Sequence, residues 1–104
     1  MNREQICSFL YHNCNGRKKA LSSAQIEQRL SISGNELRKQ VNRLRRDGLP
    51  VASDAGGYYF AANAAEVYST IKGLKKMRDG IDSAIEGLER AMDKFPAPVR
   101  GDDG

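Results

Sequence analysis

The sequence predicts a mainly α-helical fold that contains one small β-hairpin and ends in a long, coiled-coil-like helix. Three observations lead to this prediction. Polar capping residues precede several stretches whose apolar residues recur with helical spacing. Residues 49–61 instead have the composition of two short strands around a turn with two glycines. Beyond Asn63, no proline interrupts a heptad pattern of apolar residues until Phe95.

The chain has 104 residues, enough for one small domain and an appendage, and its charge is unevenly distributed between them. We expect a domain over residues 1–62, an oligomerisation helix over 63–95 and a disordered tail over 96–104. Residues 1–62 carry ten Lys/Arg against five Asp/Glu, and residues 63–104 carry seven against eight. The basic excess favours a polyanionic partner for the N-terminal part. No apolar run is long enough for a membrane span or a signal peptide, so we expect a cytoplasmic protein without a membrane partner.

The first helix is predicted over residues 3–14, with Ile6, Phe9 and Leu10 on one face. A basic loop follows, and residues 20–21 could form a very short strand. The loop consists of Arg17, Lys18 and Lys19. These three side chains either contact phosphates or are simply solvated.

Neither a metal site nor a catalytic site is predicted. Cys7 and Cys14 lie about two helical turns apart, roughly 10 Å, which is too far for a disulfide. Together with the single histidine, His12, they match no familiar zinc spacing. The serines are explained by helix capping, and no glycine-rich phosphate loop or plausible pair of carboxylates is present. We therefore expect no enzyme and no cofactor.

Two short helices joined by a tight turn come next. Ser22 and Gln25 form a predicted capping box for the second helix, whose core residues are Ile26 and Leu30. Ser33 and Glu36 form another at the start of the third helix. In the third helix Leu37, Val41 and Leu44 form one apolar stripe, and residues 47–48 end the helix.

The opposite face of the third helix is basic and carries amides. Such a face suits a DNA major groove, because Arg and Lys reach phosphates or guanine edges and Asn can bind adenine. The alternative is a charged face that is only solvated. The expected base contacts are Asn35, Arg38, Lys39 and Asn42, and the expected backbone contacts are Arg43, Arg45 and Arg46 together with Arg17, Lys18 and Lys19.

The hairpin is predicted as strands 49–53 and 58–61, joined by a turn over residues 54–57. A hairpin directly after the second of two short helices, with that helix basic, is typical of a winged helix-turn-helix. Residues 22–60 resemble the winged helix-turn-helix domain of bacterial regulators, of the type found in the biotin operon repressor. The residues that carry the resemblance are Ile32-Ser33, Leu37, Val41, Leu44-Arg45, Gly48, Val51, Gly57-Tyr58 and Phe60.

This resemblance implies that the third helix lies in the major groove and that the hairpin tip approaches the DNA backbone or minor groove. Two positions depart from the family. Gly34 stands where the family often has Arg or a helix former, and the hairpin tip carries Asp54 and no basic residue. We therefore expect the hairpin to contribute little phosphate affinity. No biotin chemistry is expected, since residues after Phe60 could not form the family's ligase domain.

The C-terminal helix predicts self-association, because about 32 residues span roughly 48 Å, more than a domain of this size can cover. Its glycines recur every seven residues beside the apolar stripe. This spacing suggests that another helix approaches closely there; the alternative is that the helix merely tolerates exposed glycines. Arg78 interrupts the stripe and could pair with Asp79 or Asp82 of another copy. The expected contacts of a homodimer or higher oligomer, within residues 67–95, are Ile71, Leu74, Arg78, Ile81, Ile85, Leu88 and Met92.

The function that these features favour is sequence-specific binding of double-stranded DNA by a small bacterial or phage transcriptional regulator. A replication or plasmid-partition accessory role fits the same residues nearly as well. The alternative from another class is a winged-helix protein–protein adaptor, which the acidic hairpin tip and Glu36 favour.

Overall fold

A computed structural model describes residues 1–96, so the tail predicted to be disordered lies outside the described residues except for Pro96. Three helices, a two-stranded hairpin and a long helix follow one another. Their bounds are α1 Arg3–Asn13, α2 Ser23–Leu30, α3 Gly34–Arg46, β1 Val51–Asp54, β2 Gly57–Phe60 and α4 Ala64–Met92, with a 3-10 helix at Arg17–Lys19 between α1 and α2. This order confirms the predicted fold class.

The helices begin where polar side chains cap their first amides. Asn2 and Gln5 form a capping box at α1, and the predicted box of Ser22 and Gln25 is present at α2. At α3, Ser33 Oγ accepts from the Glu36 amide at 3.1 Å, but the reciprocal half of the predicted box is missing. The Glu36 carboxylate instead accepts a hydrogen bond from the side chain of Gln40, one turn further along α3.

The turn between α2 and α3 is as tight as predicted. Ser31 adopts a left-handed conformation with φ 55°, and the Ile32 amide donates back to the carbonyl of Glu27 at 3.2 Å. At the other end of α3, Asp47 is the C-cap, and Gly48 has φ 86°, a value that glycine adopts without strain. Residues 47–48 therefore end the helix as the sequence predicts.

The core of the N-terminal part is apolar and continuous. It combines side chains from α1, α2 and α3 with both strands of the hairpin. Ile6, Leu10, Cys14, Ile26, Leu37, Val41, Leu44, Val51, Ala52 and Tyr59 are buried. The apolar stripe predicted on α3 is confirmed as the face that packs inward.

The hairpin is antiparallel and extends from the pair Val51–Phe60 to the pair Asp54–Gly57. Both strands are displaced by one or two residues from the predicted ranges 49–53 and 58–61, because pairing begins only after Pro50 and includes Gly57. The other edge of β2 pairs with Leu21 through two backbone hydrogen bonds of 2.9 and 3.1 Å to Tyr58. The short strand expected at residues 20–21 is thus a single bridge.

The chain forms two compact units, one over Met1–Lys72 and the other from Gly73 onwards. The first turns of α4 belong to the first unit. There Thr70 is buried and bonds to Ser53 of β1, and Asn63 Oδ1 caps the Glu66 amide at 3.0 Å. The spacing of Asn63 and Glu66 also predicts a capping box, but the Glu66 carboxylate does not complete it. It accepts from the backbone amides of Ala62 and Arg17 instead.

Candidate nucleic-acid interface

The outward face of α3 is densely basic. Its apolar stripe points inward, so helical geometry places the intervening residues in solvent. Six of the predicted contact residues on this helix are exposed, namely Asn35, Arg38, Lys39, Asn42, Arg43 and Arg46. Amides and cations therefore share one accessible helix surface, which we call the α3 face.

A hydrogen bond organises the N-terminal half of the α3 face. Arg38 Nη2 donates to Asn35 Oδ1 at 2.9 Å, one turn back along the helix. This contact uses one of the two lone pairs of the Asn35 carbonyl oxygen, so Asn35 orients Arg38 and still has a donor and an acceptor available for a base edge. It also restricts the guanidinium of Arg38 while the fork of its remaining N–H donors stays exposed. Asn42 lies one turn beyond Arg38 and is exposed.

Arg45 has a different environment from its neighbours on α3. Its Nε donates to the Val51 carbonyl at 2.8 Å, and Nη2 donates to Ser53 Oγ at 3.0 Å. The side chain is half-buried, and burial lowers the pKa of this guanidinium from its ordinary value. The phosphate contact expected from Arg45 is replaced by a link between α3 and β1, because the stripe that buries Leu44 also turns Arg45 toward the hairpin.

The three residues of the basic loop also differ from one another in their environments. The Arg17 guanidinium lies 3.3 Å from Asp54 Oδ2 at the hairpin tip, and its Nε donates to the hydroxyl of the buried Tyr59 at 3.4 Å. The hydrogen bond to Tyr59 is the main reason that the pKa of Arg17 is raised. Lys18 and Lys19 are exposed. Of the three residues, the two lysines fit a phosphate contact better than Arg17 does.

The carboxylates nearest the α3 face all have partners. Glu36 Oε2 accepts from Gln40 Nε2 at 2.6 Å, and Asp47 lies 3.4 Å from Arg3 Nη1. At the hairpin tip, Asp54 pairs with Arg17 and also accepts from the Gly56 amide at 2.7 Å. Arginines thus partly offset the negative charge of Asp47 and Asp54, while Glu36 is bonded to a neutral amide and keeps its charge.

Two relevant side chains escaped the sequence analysis. Arg29 is exposed in the last turn of α2, just before the turn that leads into α3. A basic residue just before the Ser31 turn was the available signal. Gln40 is only 6% exposed. It lies three residues after Leu37 and four before Leu44, so helical periodicity places it beside the apolar stripe and was the available signal.

The predicted oligomerisation residues of α4 are accessible to solvent. Ile81 is 59% exposed, Leu88 70% and Met92 55%, and Arg78 pairs only with its neighbour Asp79, at 3.7 Å. The other predicted residues, Ile71, Leu74 and Ile85, are exposed as well. Among residues 1–96, no side chain covers this apolar stripe of α4.

Residues 1–96 hold no group of three or more His, Cys, Asp and Glu side chains that could bind a metal ion. Within the same range, no helix is both long enough and apolar enough to cross a membrane. The buried Cys14 thiol has a raised pKa because of desolvation, which disfavours the reactive thiolate.

The chain matches no protein-family model, and comparisons with curated proteins and with solved structures find no significant match. The resemblance to the biotin operon repressor type therefore stays a prediction from the residues.

Proposed function

We propose that this protein binds double-stranded DNA through the α3 face, as a winged helix-turn-helix regulator of transcription that acts as a homo-oligomer. The observation that carries the proposal is the exposure of Arg38, Lys39, Arg43 and Arg46 on one helix surface, while the neighbouring carboxylates are engaged elsewhere. A helix that offers four cations and a free amide to solvent complements the phosphates and base edges of a major groove.

The proposed base-reading residues are those expected from the sequence, Asn35, Arg38, Lys39 and Asn42. The restricted guanidinium of Arg38 suits the O6 and N7 acceptors of guanine, and the asparagines suit adenine. Arg43, Arg46, Lys18, Lys19 and Arg29 would contact phosphates, which fixes the orientation of the helix on the duplex.

Fluorescence anisotropy with a labelled random duplex at low salt tests DNA binding. The test variant combines Arg38→Ala, Lys39→Ala and Arg43→Ala, and we expect its affinity to fall sharply. We also expect the slope of log affinity against log salt to become shallower by about one for each phosphate contact that is lost.

The matched control removes three exposed cations from α4 instead, with Lys72→Ala, Lys76→Ala and Arg90→Ala. Both variants lower the formal net charge of +4 by three, so the comparison separates a defined interface from general charge attraction. Equal losses in the two variants would contradict a specific α3 interface. Absence of binding by the unaltered protein would refute the proposal and favour the protein–protein adaptor.

A further inference from the structure

The exposed stripe of α4 has a heptad geometry that restricts how two copies can pair. Positions a and d of a heptad form the core of a coiled coil, and positions e and g flank it. Core position a holds Ile71, Arg78, Ile85 and Met92, and core position d holds Leu74, Ile81, Leu88 and Phe95. All of these residues other than Arg78 are large, apolar and exposed in the single chain.

The core position of Arg78 disfavours a parallel pair. In a parallel, in-register coiled coil each a residue faces the same residue of the other helix, so the two Arg78 side chains would meet in the core. Like charges that are partly desolvated repel one another. In an antiparallel pair, position a faces position d, and Arg78 would lie opposite an apolar residue. Its side chain is 64% exposed and is held only by a 3.7 Å contact with Asp79.

The flanking positions favour the antiparallel pair through charge complementarity. Position e holds Lys75, Asp82 and Glu89, while position g holds the uncharged residues Met77, Ala84 and Ala91. Parallel helices bring e against g, which leaves every charged residue opposite an uncharged one. Antiparallel helices bring e against e and g against g, so Lys75 meets Asp82 of the other copy. In the register shifted by one heptad Lys75 meets Glu89, but the two Asp82 side chains then face each other, so the first register has the better charge complementarity.

The g side of α4 also permits close approach of two helices. Its residues are small toward the C-terminal end, and Gly73 and Gly80 lie beside them at position c. A Cβ atom added to either glycine would have no neighbour within 4 Å in the single chain. Both glycines are therefore open to solvent in the single chain, and this side presents little steric bulk to a second helix.

We propose that α4 pairs with α4 of a second copy in antiparallel orientation. In this pair Arg78 lies opposite an apolar d residue and beside Asp82 or Glu89 of the second copy, according to the register. The inference rests on the homo-oligomer of the proposed function and adds the orientation of its helices.

Distances between spin labels test the orientation directly. Single labels are placed on the outer side of α4, at position f, through Ser69→Cys, Lys76→Cys, Ser83→Cys or Arg90→Cys. All four positions are exposed, and Cys7→Ser removes the more accessible native thiol. In an antiparallel pair, the axial distance between identical labels changes by about 3 Å per residue, or about 20 Å per heptad. We expect a minimum near residues 76–83 and longer distances at both ends.

Sedimentation of the same labelled proteins separates the possible failures. Equal distances at all four positions in a dimer would overturn the antiparallel orientation and leave the oligomer of the proposed function intact. A monomeric sedimentation coefficient would overturn both the orientation and the oligomer. DNA binding is read separately by anisotropy and depends on neither result.

Charge variants test the pairing of the e positions. Asp82→Asn with Glu89→Gln should weaken association by about 3- to 10-fold, the size expected for losing exposed ion pairs. The matched control is Glu86→Gln with Asp93→Asn, which removes the same charge from position b and should leave association unchanged. Equal weakening in the two variants would overturn the e-to-e contact and with it the antiparallel pair.

Discussion

Adjacent arginines on α3 provide the sharpest test of the assignments made from the structure. Arg45 and Arg46 are neighbours of identical chemistry, and the sequence predicts the same phosphate contact for both. In the structure Arg45 bonds to two residues of β1, whereas Arg46 is exposed. We therefore expect Arg45→Ala to destabilise the fold and Arg46→Ala to weaken DNA binding.

The size of the stability effect follows from the contacts. Arg45 makes hydrogen bonds of 2.8 and 3.0 Å from a charged group, and such bonds contribute about 1.5–3 kcal/mol each when fully shielded from water. Because Arg45 is only half-buried, we expect a net loss of about 2 kcal/mol. With a denaturant dependence of about 1–2 kcal/mol/M, this loss lowers the urea midpoint by about 1–2 M. Arg46→Ala should stay within about 0.5 kcal/mol of the unaltered protein.

Urea denaturation followed by circular dichroism measures the first effect, and the salt dependence of DNA affinity measures the second. Arg46→Ala should lower the salt slope by about one, and Arg45→Ala should leave it unchanged. Arg45→Lys is a useful intermediate, since it keeps the charge but cannot make both hydrogen bonds. Equal urea midpoints for Arg45→Ala and Arg46→Ala would refute the structural role of Arg45.

Three further predictions concern the first compact unit. Gly57→Ala should abolish or severely weaken folding in thermal melts, because φ is 123° and the added Cβ would clash with the Leu21 carbonyl. The control Gly48→Ala has φ 86° with open space around it and should cost only about 1 kcal/mol, so similar losses would contradict the clash. Thr70→Val should lower the free energy of unfolding in urea by about 1–2 kcal/mol, because the Ser53 amide loses its 3.1 Å acceptor. Thr70→Ser keeps a hydroxyl and should retain most of that stability. Backbone hydrogen bonds hold the pKa of Glu66 below its ordinary value of 4.5, so its stabilisation is present above that value and is lost as the pH falls through the lower, folded-state pKa. The urea midpoint of Glu66→Gln should therefore fall less than that of the unaltered protein between about pH 5 and pH 3, and parallel curves would contradict the assignment.

Local features of the fold could be predicted because the signals that specify them are themselves local. Ser22 with Gln25, the stripe Leu37–Val41–Leu44 and Gly48 each act within a turn or two of the chain, and each is found where the sequence places it. The capping box predicted for α3 was wrong in one of its two bonds, because the Glu36 side chain does not accept from the Ser33 amide. Glu36 had a competing donor in Gln40, and spacing alone does not say which contact a carboxylate takes.

Within the candidate site, the helix and its exposed face were predictable, and the engagement of individual side chains was not. Helical periodicity was enough to separate Lys39 and Asn42 from Leu37. The environments of Arg45 and Arg17 depend on the hairpin, whose packing against α3 and the 3-10 helix joins residues distant in sequence. Helical spacing puts Arg45 four residues after Val41, at the edge of the apolar stripe, and Arg46 on the opposite side. The hydrogen-bond partners of Arg45 belong to β1, so no pattern within α3 identifies them.

The sequence by itself determined the order of helices and hairpin, the basic α3 face and the heptad of α4, since capping, periodicity and charge are properties of neighbouring residues. The tertiary structure decided which charges remain free. It turned Arg45 toward β1, paired Asp54 with Arg17 and Asp47 with Arg3, and left Arg38 restricted by Asn35 but exposed. These outcomes depend on which surfaces the fold brings within a few ångströms, and hydrogen bonds and ion pairs form only at that range.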